Sequence, residues 1–165
     1  MTIQDLSKDI VLAKKAAFES GKFLLNKKDQ INKRLNSDSK DVKLKADIES
    51  ENLIKSVISS ESKYPILAEE SGKSTEDLGE IYWVIDPLDG TANYSRDIPI
   101  CCVSIGLVKG MKPLLGVIYD FNNNQMYSGD IFTNSANMND IPINVSRKLE
   151  KKESILITGL PYNTD

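Results

Sequence analysis

Apolar residues recur at helical spacing through the first part of the chain. Leu6, Ile10, Ala13, Ala17 and Leu24 fall three, four or seven positions apart with lysines and acids between them, which predicts an amphipathic helix over residues 3–27. Gly21 sits inside that pattern and marks close packing. Residues 29–45 are polar and basic and read as a loop or short hairpin. A second helix is expected from about Asp47 to Ser60, with Ile48, Leu53, Ile54, Val57 and Ile58 as its apolar face and Asp47 at the N-cap. The period then changes. Tyr64–Ala68 is a short apolar run ending at Glu69-Glu70, and residues 71–79 form a polar loop. Ile81–Ile85 is β-branched and aromatic, as a buried strand requires, and ends at Asp86. The run PLDGT interrupts it, and a short helix is expected near Thr91. Strands follow at Cys101–Val108, Leu114–Tyr119 and Gln125–Ser128, separated by turns too short for parallel crossovers. Ile131–Val145 reads as polar with a turn at Asn137-Met138-Asn139-Asp140, and Ile155–Thr158 as a final buried strand. The sum is an α+β chain, with two long helices packed on a mostly antiparallel sheet.

Composition narrows the chemistry. The 165 residues carry a net charge of −3, which argues against a nucleic-acid surface or an anionic-membrane surface. No apolar run approaches the roughly 20 residues of a membrane span, and the N-terminus lacks the apolar core of a signal peptide. Cys101 and Cys102 are adjacent in an apolar context and read as reduced core thiols, so the expected compartment is the cytoplasm. Histidine is absent. Catalysis by Ser-His-Asp or Cys-His groups and His-ligated zinc are therefore excluded within this segment.

The remaining candidates are carboxylates and hydroxyls. A buried strand delivers Asp86 to its end, Pro87 stops the ladder, Asp89 follows, and Gly90-Thr91 opens the next turn. Two carboxylates on such a turn can point into one pocket, and Mg²⁺ prefers oxygen ligands at about 2.1 Å. Glu69-Glu70 ends a neighbouring strand. Several ionised carboxylates in one cleft repel each other unless a cation neutralises them. On the residues alone, a metal site and two solvated acidic turns stand as equal readings, since Asp and Gly are also turn formers.

The run Trp83-Val84-Ile85-Asp86-Pro87-Leu88-Asp89-Gly90-Thr91-Ala92-Asn93-Tyr94 resembles the signature of the inositol monophosphatase family. Ala46-Asp47 with Glu51, then Glu69-Glu70-Ser71, then IPICCVSIGLV, GVIYDF and ITGLPY resemble the family's elements in the same order. The resemblance implies Mg²⁺-dependent, lithium-sensitive hydrolysis of a small phosphate monoester by an activated water. Inositol monophosphate or a sugar phosphate is the expected substrate, ahead of a 3′-phosphoadenosine nucleotide. It further implies metal ligation by Glu69, Asp86, the Leu88 carbonyl and Asp89. Thr91 with Glu69 would orient the water, Asp47 would hold Thr91, and Asp89, Gly90 and Thr91 would bind the phosphate or substrate. The family's glycine-rich turn is here Asn134–Asp140, and its later W-D-x-x-A-G segment has no counterpart. Residues 1–150 are thus expected to form the metal- and phosphate-binding domain, with 151–165 the start of a second, truncated one. That expectation leaves room for a homodimer. It also keeps open a non-catalytic module that retains the half-site for structural, protein-binding or RNA-binding use.

Overall fold

The computed structural model describes residues 6–33, 44–147, 150–153 and 155. Helix α1 spans Ser7–Ile31 and α2 spans Lys45–Glu61. Strands β1 (Ile66–Ala68), β2 (Gly72–Lys73) and β3 (Ile81–Asp89) follow, then the one-turn helix α3 (Thr91–Tyr94). The chain continues through β4 (Cys102–Lys109), β5 (Lys112–Asp120), β6 (Gln125–Asp130), β7 (Ser135–Met138) and β8 (Ile141–Ile143). The described strands form one sheet in the order β2-β1-β3-β4-β5-β6-β7-β8. Every neighbouring pair is antiparallel except β1 and β3, which run parallel. Among the described residues no helix is long and apolar enough to cross a membrane.

Both long helices lie on one face of this sheet. Trp83, Ile85, Val103, Ile105, Leu107, Leu115, Val117 and Tyr119 alternate along β3, β4 and β5 and are buried beneath them. α1 turns small residues inward: Ala13, Ala16, Ala17, Ser20 and Gly21 are all buried. A Cβ at Gly21 would stand 2.6 Å from the Tyr119 ring and 2.7 Å from Phe121 Cβ, so only hydrogen fits where α1 crosses β5.

Several boundaries differ from expectation for physical reasons. α1 runs on to Ile31, whose side chain is buried; residues 34–43 of the expected loop lie outside the described residues. α2 starts before Asp47, which occupies the third helical position and accepts the Leu44 N–H at 2.6 Å. Its inward face is Ala46, Asp47, Ser50, Glu51, Ile54 and Ile58, while Ile48 is exposed. β3 does not stop at Asp86. It resumes after a register shift between Asp86 and Asp89, where Pro87 supplies no N–H to the ladder. The stretch read as polar from Ile131 to Val145 holds the hairpin β7–β8. Asn139 and Asp140 at its tip have φ of 50° and 64°, the left-handed pair that a tight hairpin turn demands. Ile155 is exposed; the remainder of the expected final strand lies outside the described residues.

Candidate metal and phosphate site

The parallel pairing of β1 with β3 creates the site. It sets Ala68 beside Ile85. The next residue of each strand is an acid, and the Glu69 N–H donates to the Ile85 carbonyl at 3.0 Å. The Glu69 and Asp86 side chains consequently come close enough for each to alter the other's ionisation. Burial first, and then the Asp86 charge, push the Glu69 carboxyl up to about 7, although Glu69 as a residue keeps much of its surface in solvent. Asp86 is likewise raised, chiefly by burial, against the lowering effect of its bond to Glu69. One proton between two carboxyl groups is what like charges at close range enforce.

The turn after Asp86 is fixed from both sides. Asp86 Oδ1 accepts the Leu88 N–H at 3.1 Å. From below, Ser50 Oγ donates to the Pro87 carbonyl at 2.9 Å and lies 2.6 Å from Ser20 Oγ, which ties α1, α2 and the turn together. Gly90 has φ of 88°, and a Cβ there would stand 2.7 Å from the Ile100 carbonyl, so both conformation and space require glycine. It opens α3, whose first N–H groups have no acceptor within the helix itself.

Thr91 Oγ1 stands 2.7 Å from Asp47 Oδ1 and 2.9 Å from the Leu88 carbonyl. Asp47 is 1% exposed, and burial raises its carboxyl to about 6 despite the bonds from Thr91 and Leu44. Asp89 is exposed, with Oδ2 3.9 Å from Cys102 Sγ, and its charge is felt at Asp86. Cys101 is buried and Cys102 half-buried, and both thiols are free.

The structure therefore links Glu69, Asp86, Leu88, Thr91 and Asp47 through neighbouring contacts, with Gly90 in the same turn and the exposed Asp89 within electrostatic reach of Asp86. Among the described residues no three acidic or thiol side chains already converge as a cage. The candidate donors are all oxygens: the two neighbouring carboxyls of Glu69 and Asp86, and the Leu88 carbonyl two residues on, which accepts the Thr91 hydroxyl. That set fits a hard divalent cation that displaces the shared proton and keeps several waters.

Ser50 and Glu51 also belong to the site, and no role was read for them from the sequence. Glu51 is 2% exposed, and its Oε2 accepts the Glu70 N–H at 2.9 Å, which holds the end of β1 in place. The signal was present in α2: Asp47, Ser50 and Glu51 stand at i, i+3 and i+4, in line with Ile54 and Ile58. That is a polar extension of a buried stripe.

The sequence profile described as the inositol monophosphatase family matches residues 5–165. The inositol-1-monophosphatase of Synechocystis sp. is 36% identical over 124 residues, covering 74% of this chain and 43% of that protein. A Nus factor SuhB of Pasteurella multocida is 35% identical over 113 residues, covering 68% of this chain and 42% of its own. Among solved structures, an inositol monophosphatase from Anabaena (Nostoc) superposes with a TM-score of 0.72 at 34% identity, over 88% of this chain and 52% of that one. The chain spans about half the length of the proteins it matches.

Proposed function

The chain belongs to the inositol monophosphatase family, and on that premise we propose that it carries the metal- and phosphate-binding half of a Mg²⁺-dependent phosphomonoesterase acting on a small phosphorylated polyol or sugar. The observation that carries this reading is the contact of Glu69 with Asp86 beside the hydrogen bond of Thr91 to Asp47. Family membership implies a divalent metal. Glu69, Asp86 and the Leu88 carbonyl would hold it, and Asp89 would serve a second ion. When bound, such ions polarise the phosphoryl oxygens and make water a stronger acid.

The chain's own groups supply the rest. Thr91 has one hydroxyl proton and directs it at Asp47, so a lone pair on Oγ1 stays free to accept from water. Glu69, ionised once its shared proton has gone, accepts the proton of the attacking water. The water oxygen forms the new P–O bond, the ester P–O bond breaks with its electron pair on the leaving oxygen, that alkoxide takes a proton from solvent water, and Glu69 returns the proton it accepted to solvent. The N–H groups of Gly90 and Thr91 meet the phosphate oxygens at the start of α3. No covalent phosphoenzyme is needed, in accord with a chain without histidine. The ester substrate and a cytoplasmic setting belong to this proposal, as does lithium sensitivity.

The test is phosphate release from inositol monophosphate by this chain joined to the C-terminal part of the Synechocystis relative. Mg²⁺-dependent release, lowered at least roughly 100-fold by Thr91→Ala, supports the proposal. Release that persists in a chelator contradicts it.

A further inference from the structure

The turn that carries Glu69 has little of its own to hold it. Residues 69–71 join β1, three residues long, to β2, two residues long, and only two register pairs connect these strands. Glu69 and Ser71 are exposed. Paired strands this short are marginal by themselves. The Glu69 N–H is held by the Ile85 carbonyl of β3. The two residues after it are held by α2.

Glu51 and Lys55 stand one helical turn apart on the same side of α2. Glu51 is buried, with Oε2 accepting the Glu70 N–H at 2.9 Å and Oε1 3.5 Å from Lys55 Nζ. Lys55 Nζ in turn donates to Ser71 Oγ at 3.0 Å. A buried carboxylate is costly unless it is paired and hydrogen-bonded. Packing alone would be served by an aliphatic residue here, as it is at Ile54 and Ile58 on the same buried stripe. The carboxylate instead meets one backbone donor and one cation, and both lead to the turn. The adjacent residue, Ser50, makes the matching bond on the other strand, to the Pro87 carbonyl. Glu70 and Pro87 are the residues that directly follow Glu69 and Asp86. Two consecutive residues of α2 therefore tie down the chain just beyond each acid.

We propose that Glu51 and Lys55 are positioning residues for Glu69, clamping the β1–β2 turn to α2 so that Glu69 stays within reach of a cation that Asp86 also holds. The proposal rests on the metal reading of the acid pair. Glu51 acts on where Glu69 stands and not on the reaction itself. Loss of the clamp leaves the ligands present but spread over more positions, and a site that is not preorganised binds its cation less tightly.

The experiment titrates Mg²⁺ into the chain and its variants by calorimetry and follows backbone amide exchange by NMR before metal is added. Glu51→Ala binds at least about tenfold more weakly than the parent, the usual effect of removing a group that orients a ligand. Its Glu70 amide exchanges at least about tenfold faster in the metal-free chain, since the turn opens more readily. Glu51→Gln keeps an oxygen acceptor for that N–H and recovers most of both losses. Lys55→Met, at a partly exposed position where folding is not at risk, binds at least about threefold more weakly. Ile58→Ala melts lower than the parent but binds Mg²⁺ like it, which separates loss of position from loss of stability. Parent-like affinity in Glu51→Ala and Lys55→Met, where the parent itself saturates, overturns the clamp and leaves the metal reading standing. An equal loss of affinity in Ile58→Ala and Glu51→Ala also overturns the clamp. A parent that never saturates overturns both.

Discussion

Asp47 is a buried acid with two partners, the Leu44 N–H and the Thr91 hydroxyl, and neither is a cation. Its place is tolerable only because both bonds are made. Thr91→Ala removes one and leaves a carboxyl short of a donor, so a loss of roughly 1–3 kcal/mol in unfolding free energy is expected. Chemical denaturation measures it, and Thr91→Ser should restore most of the loss. Glu69 makes the complementary prediction. Its carboxyl is raised from 4.5 to about 7 in the folded chain. The folded state therefore holds a proton that the unfolded state releases, and stability falls as pH rises from about 4.5 through 7. Glu69→Gln cannot ionise and escapes that loss. In metal-free buffer the parent and Glu69→Gln should melt alike near pH 4, and the variant should melt higher at pH 8. Equal melting at both values would show that the carboxyl is not crowded.

At the scale of elements, α2 divides into two parts with different work. Its first turns send Asp47, Ser50 and Glu51 to Thr91, Pro87 and Glu70, each a backbone or side-chain group of the site. Its later turns bury Ile54 and Ile58 in the core. Ser50→Ala should cost about 1–3 kcal/mol by orphaning the Pro87 carbonyl, and should also weaken Mg²⁺ binding because the turn bearing the Leu88 carbonyl loosens. Ile58→Ala should cost about 2–5 kcal/mol and leave Mg²⁺ affinity unchanged. Calorimetry on the two variants, paired with thermal melts, separates these roles. The same helix shows where sequence reading stops. The apolar pattern located α2 within two residues at its start, but it named Ile48 and Leu53 as facing residues. The stripe that faces inward is polar at one end, and a search for apolar periodicity passes over it. Asp47 looked like an N-cap because short acids favour that position. Its carboxylate instead reaches back to Leu44 from inside the first turn. The hairpin β7–β8 escapes the apolar pattern because Ser135, Ala136 and Asn137 have little strand preference, and Ser135 and Ala136 are exposed.

In the whole molecule, the order of β2, β1 and β3 decides the site. The strand Ile81–Ile85 with Asp86 at its end is legible in the sequence, and so are the acids that follow Ala68. That β1 inserts parallel to β3, with Ala68 level with Ile85, depends on pairing between distant segments and is not written in either one. Only that pairing turns Glu69 and Asp86 from two strand ends into one acidic contact. Helices cover one face of the sheet, and the contact opens toward the other. The central claim is that this contact is a cation site formed within residues 1–165. Calorimetric titration of the chain with Mg²⁺ at pH 6 and pH 8 tests it most directly. A saturable isotherm is expected, with more protons released at pH 6 than at pH 8 as the cation displaces the proton on Glu69, and with no saturable binding in Asp86→Asn. An Asp86→Asn isotherm matching the parent, or a parent that never saturates, would contradict the account.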